Sequence, residues 1–203
     1  MWIKICGLTT PEAVHAALEA RVDAIGFVFT DSVRRVTPAQ AARLAAGTAA
    51  RVLRVAVTRH PGQPLVDEIL ATFRPDVLQS DAADLERLRL PASLARLPVV
   101  RGALPPGTPA PARVLFEGAH SGAGRLSDWQ AARSLAALCE LVLAGGLNAD
   151  NIGAAIAAVA PFGVDVSSGV ELRPGIKNPA EIARFVRAAR AACAARDHQK
   201  DCP

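Results

Sequence analysis

The chain has 203 residues, 51% of them hydrophobic, which is enough to bury the core of one domain. It contains no apolar run of about 18 residues, so a membrane-spanning helix is excluded. The formal net charge of +4 comes almost wholly from scattered arginines, which form no basic stripe with interleaved aromatic residues. We therefore expect neither a membrane nor a nucleic acid as a partner.

The N-terminal residues and the cysteines bear on the cellular compartment. Residues Met1–Cys6 have the composition of a first strand and lack the charged leader and cleavage site of an export signal. We therefore expect a cytoplasmic protein with free thiols. The four cysteines form no Cys-x-x-Cys pair, and no histidine lies at metal-ligand spacing from them, so the sequence predicts no metal site.

Eight short segments rich in Val, Ile and Leu recur along the chain. Several are too continuously apolar to have a solvent-facing side, which is typical of parallel strands covered on both faces. The predicted strands are Trp2–Ile5, Ala24–Phe29, Arg51–Val57, Asp76–Gln79, Leu97–Arg101, Arg113–Glu117, Leu141–Ala144 and Gly163–Val166.

Segments with helical periodicity lie between most of these strands. They are Pro11–Ala20, Pro38–Ala46, Leu65–Phe73, Asp128–Leu138, Asn148–Val159 and Pro179–Ala192. Thr10 and Thr37 each precede a proline, a combination that favours a helix start. Four prolines between Gly102 and Ala112 predict a loop or a single turn, so the fifth helix is reduced or absent. The tail after Arg196 is expected to fray.

Eight strand–helix units can form a closed barrel or an open, doubly wound sheet. Glycines and polar residues follow the strands around the whole series, whereas an open sheet would concentrate them near one switch point. The sequence therefore predicts an α/β fold in which residues 1–203 form one small (β/α)8 barrel, a TIM barrel. In such a barrel, the residues after each strand line the rim that holds the active site.

Two candidate residues follow the first two strands. Cys6 lies beside Gly7 at a strand end, where nearby helix amides would lower the pKa of the thiol and let it act as a base or nucleophile. The alternative is a small buried hydrophobic residue, as most isolated cysteines are. Arg34 lies in the next loop, and its planar guanidinium suits a carboxylate, although a solvated basic loop is the alternative.

A carboxyl group and a glycine-rich segment follow the sixth strand. Glu117 ends an apolar run, where partial burial would favour its protonated form and suit a general acid; the alternative is a surface residue that closes the strand. Gly124 is one of three glycines whose backbone amides can approach a ligand. His120 is a further candidate in the same segment.

The constellation after the seventh and eighth strands is the clearest without knowledge of any family. Its members are small or polar: Gly145, Gly146, Asp165, Ser167, Ser168 and Gly169. In barrels, these two loops commonly bind phosphate through backbone amides and small hydroxyls. Ordinary tight turns would explain one such loop well and two adjacent loops less well. The sequence therefore favours a small phosphorylated substrate.

The same residues belong to motifs that together resemble the phosphoribosylanthranilate isomerase family over nearly the whole chain. The motifs are Lys4-Ile5-Cys6-Gly7-Leu8-Thr9, Ala24-Ile25-Gly26-Phe27-Val28-Phe29, Ser32-x-Arg34 with Thr37-Pro38, Leu143-Ala144-Gly145-Gly146-Leu147-Asn148, Val164-Asp165-Val166-Ser167-Ser168-Gly169-Val170-Glu171 and Pro174-Gly175-Ile176-Lys177. The first motif and the last two are specific to this family among phosphate-binding barrels.

The resemblance implies an isomerase of tryptophan biosynthesis that performs an Amadori rearrangement without a cofactor or a metal. It implies that Cys6 removes the C2′ proton as the general base and that Glu117 protonates the ring oxygen as the general acid. Arg34 falls where the family contacts anthranilate, and the last two loops hold the phosphate. Small barrels occur as monomers and dimers, so either a monomer or a homodimer is expected.

This sequence departs from the family pattern at two positions. The family usually has Asp where this chain has Glu117, and it has Gln-Leu-His-Gly where this chain has Gln79-Ser80-Asp81-Ala82. Asp81 would repel a substrate carboxylate, so we expect it to turn away or to pair with a neighbouring arginine. Two alternatives remain: the related histidine-pathway isomerase, which uses aspartate where this chain has Cys6, and a barrel that binds its ligand without catalysis.

Overall fold

In the computed structural model, eight parallel strands form a closed barrel in chain order. The structure describes residues 1–48, 52–102, 110–118 and 128–200, with side chains up to residue 196. The strands are β1 (Trp2–Cys6), β2 (Ala24–Val28), β3 (Leu53–Val57), β4 (Val77–Asp81), β5 (Ala95–Val100), β6 (Arg113–Phe116), β7 (Glu140–Leu143) and β8 (Gly163–Val166). The predicted barrel is therefore confirmed.

Seven helices are described, together with a short antiparallel hairpin after the eighth strand. They are α1 (Pro11–Glu19), α2 (Pro38–Leu44), α3 (Gln63–Thr72), α4 (Ala82–Arg87), α5 (Trp129–Ala136), α6 (Ile152–Val159), α7 (Pro179–Lys200) and the hairpin strands β9 (Glu171–Arg173) and β10 (Ile176–Lys177). The hydroxyls of Thr10 and Thr37 accept hydrogen bonds from backbone amides in the first turns of α1 and α2. Both helices therefore begin at the predicted residue, a proline that follows a capping threonine.

The structure corrects two helix predictions. Helix α6 begins at Ile152 instead of Asn148, because the Asn148 side chain accepts hydrogen bonds from the amides of Asp150 and Asn151 and holds a turn. Helix α4 was not predicted. Its six residues are too few to show a period.

Two other predictions fall partly on residues that the structure does not describe. Between β5 and β6, residues 101–102 and 110–112 are not helical, and residues 103–109 lie outside the described part. Helix α7 continues to Lys200, past its predicted end at Ala192. Fraying after Arg196 stays a prediction.

No described helix combines the length and hydrophobicity needed to cross a membrane.

The strands bury side chains on both faces, because successive residues of a strand point in opposite directions. The outward residues pack under the helices, among them Ile3, Ile5, Phe27, Leu78, Phe116, Leu143 and Val164. The alternate residues form a second apolar cluster inside the barrel: Ala24, Val55, Val77, Leu97, Val99, Leu115, Val142 and Ala144. This interior cluster fills the lower part of the barrel and supports the residues at its mouth.

The floor of the barrel, at the N-terminal ends of the strands, is closed by aromatic residues. Trp2 and Phe162 pack against the interior cluster. The guanidinium carbon of Arg113 lies 4.4 Å from the centroid of the Phe162 ring, and Arg113 also forms an ion pair with Glu140. A cation over an aromatic face is attracted by the ring quadrupole. These residues therefore cover the N-terminal end of the interior cluster, and the cavity lies at the other end of the barrel.

Candidate active site

The carboxyl ends of the barrel strands surround a cavity of about 490 Å³. Seven residues that the sequence predicted for the site line it: Cys6, Glu117, Gly145, Gly146, Asp165, Ser167 and Ser168. Arg34 and Gly169 lie outside this lining. Gly124 and His120 belong to residues 119–127, which the structure does not describe. The barrel therefore brings together residues that are up to 162 positions apart, from Cys6 to Ser168.

The loops after β7 and β8 lie against each other and form one wall of the cavity. A methyl group placed on Gly169 would lie 1.9 Å from the carbonyl oxygen of Leu147, so only glycine permits this approach. Gly145 and Gly146 both have positive φ, at 91° and 67°, which turns the backbone sharply after β7. Gly145, Gly146 and Ser168 of this wall line the cavity, and glycine amides with a small hydroxyl are a combination that suits an anion.

Cys6 lies at the base of the cavity and is 7% exposed. Burial has the largest influence on the thiol and raises its pKa, while the positive charges of Lys4 and Lys177 oppose that rise. The sequence-based expectation of a lowered pKa was therefore wrong. The physical reason is desolvation, which disfavours a thiolate more than the surrounding cations favour it.

A buried ion pair beside Cys6 was not recognised from the sequence. Lys4 is fully buried, and its Nζ lies 2.9 Å from Oδ1 of Asp165. Burial alone would lower the pKa of Lys4, but Asp165 and Cys6 outweigh it and raise that pKa. Burial raises the pKa of Asp165, and Lys4 opposes the rise. The signal was present in the sequence, since Lys4 and Cys6 are two residues apart and share the interior face of β1.

Arg34 is engaged by a carboxylate of the protein. Its Nε and Nη2 donate to the two carboxylate oxygens of Glu171 at 2.7 and 2.9 Å. Lys177 also contacts Glu171, at 2.8 Å, and donates to the Ser167 carbonyl oxygen at 2.9 Å. Burial would raise the pKa of Glu171, but the hydrogen bonds from Arg34 and Lys177 outweigh it and lower that pKa. This network joins the loops after β2 and β8 behind the cavity wall.

Arg101 links the two positions at which the sequence departs from the family pattern. Its Nη1 donates to Asp81 Oδ1 at 2.7 Å, and its Nη2 donates to Glu117 Oε1 at 2.6 Å. The prediction that Asp81 pairs with a neighbouring arginine is therefore confirmed. Arg101 was not singled out from the sequence, although it follows Leu97 and Val99 at a spacing of two and so shares their interior face.

One group of side chains in the described part has ligand atoms close enough to hold a metal ion. The atoms belong to His60, Asp81 and Asp84 and lie within 4.8 Å of one another. Both carboxylates already pair with arginines, Asp81 with Arg101 and Asp84 with Arg87. Nearby guanidinium groups oppose a divalent cation, so this cluster is better described as an ion-pair network.

The fold and the site define the class of protein. It is a (β/α)8 barrel whose catalytic end combines proton-handling side chains with a glycine- and serine-rich wall suited to an anionic substrate. Glu117, which follows β6, and Asp165 on β8 both line the cavity, and the Glu117 charge contributes to the raised pKa of Asp165.

Comparison with known proteins identifies the family. The family model described as N-(5'phosphoribosyl)anthranilate (PRA) isomerase matches residues 3–188. The N-(5'-phosphoribosyl)anthranilate isomerase of Brucella canis is 40% identical over 205 residues, which cover 92% of each chain. This chain therefore belongs to the N-(5'-phosphoribosyl)anthranilate isomerase family, and it is an isomerase of the tryptophan pathway.

Solved structures agree with this assignment. The crystal structure of TrpF from Jonesia denitrificans superposes with a TM-score of 0.76 at 34% identity and covers 95% of this chain and 98% of that one. A phosphoribosyl anthranilate isomerase in complex with reduced 1-(o-carboxyphenylamino)-1-deoxyribulose 5-phosphate superposes with a TM-score of 0.75 at 27% identity, over 94% and 99% of the two chains.

Proposed function

We propose that this chain converts N-(5-phosphoribosyl)anthranilate to 1-(2-carboxyphenylamino)-1-deoxyribulose 5-phosphate in the cytoplasm, with Cys6 as general base and Glu117 as general acid. The observation that carries the proposal is that both groups line one cavity, from β1 and from the end of β6, beside the glycine- and serine-rich wall. The relatives' names supply the substrate, and Cys6 argues against the histidine-pathway alternative.

The first step opens the ribose ring. Glu117 gives a proton to the ring oxygen while the anthranilate nitrogen donates its lone pair to C1′, so the C1′–O bond breaks and a protonated imine forms. Arg101 Nη2 contacts Glu117 Oε1 at 2.6 Å, so the guanidinium can stabilise the carboxylate that is left after Glu117 has given its proton to the ring oxygen.

The second step moves a proton from carbon. The Cys6 thiolate removes the C2′ proton, and the C–H electron pair forms the C1′=C2′ double bond as the imine nitrogen takes up electrons. The resulting enolamine then tautomerises to the ketone. Neither step calls for a cofactor or a metal. A positioned acid or base typically contributes about 10²–10⁴-fold in rate.

The substrate carries two anionic ends, and the site offers a place for each. We assign the phosphate to the wall formed by the β7 and β8 loops, where Gly145, Gly146 and Ser168 line the cavity and Gly169 permits the approach of the loops. The Glu171 pair uses Nε and Nη2 of Arg34, so the proposed contact with the anthranilate carboxylate would use the other N–H donors of the guanidinium. An Arg34→Met variant should then raise KM more than it lowers kcat, because it removes a binding contact.

The acid and base roles are tested by following the loss of phosphoribosylanthranilate fluorescence. Cys6→Ala and Glu117→Gln should each lower kcat by about 10²-fold or more. Cys139→Ala is the matched control, because Cys139 is a half-buried cysteine outside the cavity lining. Wild-type turnover in either active-site variant would show that the roles are wrongly assigned.

Growth of a tryptophan auxotroph separates an isomerase from a barrel that only binds its ligand. The wild-type chain and Cys139→Ala should restore growth, while Cys6→Ala should not. A wild-type chain that fails to complement and shows no turnover in vitro would support the binding-only alternative.

A further inference from the structure

We infer that Lys4 is a positioning residue that stabilises the thiolate of Cys6, and that Gly26 provides the space in which these two side chains meet. This inference deepens the proposed function, because it names what supports the proposed base. The contact between Lys4 and Cys6 can nevertheless be tested without substrate.

The barrel register places the three residues together. Lys4 and Cys6 are alternate residues of β1 and therefore point to the same side, into the barrel. Cys6 pairs in register with Gly26 on β2, and Lys4 pairs with Asp165 on β8. Lys4 thus lies between a carboxylate on one neighbouring strand and the glycine that faces Cys6 on the other.

Gly26 is needed here for space. A methyl group at this position would lie 3.0 Å from Lys4 Cε, 3.1 Å from Cys6 Sγ and 3.2 Å from Lys4 Nζ. Such contacts are shorter than ordinary van der Waals separations, so an added methyl would push the ammonium and the sulfur away from Gly26. The backbone of Gly26 does not have a positive φ, so an alanine there is not excluded by backbone conformation.

The charged groups closest to Cys6 carry a net positive charge when Cys6 is a neutral thiol. The charged groups that face it or its partners are Lys4 on β1, Arg34 after β2, Lys177 on β10, Asp165 on β8, Glu171 on β9 and, across the mouth, Glu117 after β6. Arg34 and Lys177 are bound to Glu171, and Lys4 to Asp165. Glu117 is bound by Arg101, outside this inner cluster. Within the cluster, the three cations exceed the two carboxylates that they bind by one charge, which a Cys6 thiolate would balance.

Lys4 is the cation best placed to act on the sulfur. Its charge is the strongest influence that opposes the rise in the pKa of Cys6 on burial. Its Nζ and the Cys6 Sγ also lie close together, at 3.2 and 3.1 Å from the position that a methyl group on Gly26 would occupy. Asp165 acts in the opposite direction on the same thiol. Removing Lys4 and removing Asp165 should therefore shift the titration of Cys6 in opposite directions.

The test is the rate of Cys6 alkylation by iodoacetamide as a function of pH, measured by peptide mass spectrometry on the full chain without substrate. Lys4→Met should lower the rate near pH 8 by about tenfold, which corresponds to one pH unit in the titration of the thiol. Asp165→Asn should raise it. Alkylation of Cys139 in the same samples is the internal reference and should not change.

A second variant covers the case in which Lys4→Met does not fold. Gly26→Ala keeps every charge but displaces Lys4 and Cys6 by a few tenths of an ångström, so it should slow alkylation in the same direction and by less than Lys4→Met. An unchanged Cys6 profile in whichever of these variants folds would overturn the inference, as would an Asp165→Asn variant that slows alkylation. Such results would leave the loss of turnover in Cys6→Ala untouched. Conversely, a shifted alkylation profile with an unshifted pH profile of kcat/KM would overturn Cys6 as the base and retain its pairing with Lys4.

Discussion

The floor and the mouth of the barrel interior are built from the same strands but from opposite kinds of residue. On β6, Leu115 belongs to the apolar interior cluster, and Glu117, two residues later, lines the cavity. On β5, Leu97 and Val99 are likewise followed by Arg101. On the interior face of each of these strands, the side chains thus change from apolar to charged within two residues.

This difference separates the part of the interior that stabilises the protein from the part that acts on substrate. Burial of apolar side chains at the floor is favourable. The buried charges at the mouth cost desolvation energy and persist only because they are paired, as Lys4 is with Asp165. Substitutions at the floor should therefore change stability alone, whereas substitutions at the mouth should change activity and, where they break a pair, stability as well.

The largest loss of stability is expected where one member of the buried pair is removed. Asp165→Ala leaves the Lys4 ammonium buried without its carboxylate, and we expect the free energy of unfolding to fall by about 3–5 kcal/mol. Urea denaturation monitored by circular dichroism measures this loss. A loss of less than about 1 kcal/mol would mean that the pair is solvated and would weaken the contrast with the floor.

The double variant Lys4→Met with Asp165→Leu provides the control. Replacing a buried ion pair with apolar residues is often neutral or stabilising, so most of the lost stability should return. Turnover should not return, because the ammonium beside Cys6 is gone. Recovery of both properties would contradict the separation between the floor and the mouth.

A slightly smaller effect on stability is expected in the apolar interior cluster above the floor. Leu115→Ala removes a side chain that is 1% exposed, and we expect a loss of about 2–5 kcal/mol in the free energy of unfolding. The kcat of the folded protein should stay within about twofold of wild type, because Leu115 does not line the cavity. Glu117→Gln, on the same face two residues later, should show the reverse: a large loss of kcat with little change in stability. A Leu115→Ala variant with strongly reduced kcat would show that the floor also positions the catalytic groups.

The contrast also explains which features could be predicted from the sequence. The eight strands were predicted closely because apolar runs with two buried faces are a strong local signal. Helices α1 and α2 were predicted from their start because threonine and proline fix that point. The six-residue helix α4 has no comparable signal.

The charged contacts at the mouth were harder to predict because they join distant parts of the chain. Arg34 and Glu171 are 137 residues apart, and only closure of the barrel brings β1 and β2 beside the segment after β8. Cys6 was recognised from its place at a strand end. Lys4 lies on the same face but was missed, because a lysine in a strand is rarely fully buried. Glu117 was recognised as an acid candidate, whereas Arg101, its partner, was not.

The smallest of the three effects is expected at the rim, at Asp84 on α4, and it depends on pH. The Asp84 carboxylate accepts hydrogen bonds from the His60 amide at 2.7 Å and from Ser80 Oγ at 3.0 Å, and it pairs with Arg87. Burial alone would raise the pKa of Asp84, but these bonds outweigh it and lower the pKa below its ordinary value. Because the folded state holds the proton less tightly than the unfolded state, the stabilisation is complete above the unfolded pKa and is lost as the pH falls through the folded value.

Asp84→Asn should therefore cost about 1.5–3 kcal/mol of unfolding free energy at pH 7, the usual contribution of hydrogen bonds to a charged group. The difference from wild type should shrink as the pH falls below about 4, where the wild-type carboxylate gains a proton. Glu86→Gln, an exposed acidic position on the same helix, is the control and should track wild type throughout. Urea denaturation of wild type and of both variants at a series of pH values measures these free energies. A difference in unfolding free energy between wild type and Asp84→Asn that stays constant down to pH 3 would show that the loss comes from packing and not from the charge. Asp84 would then contribute to stability in the same way as the apolar residues of the floor.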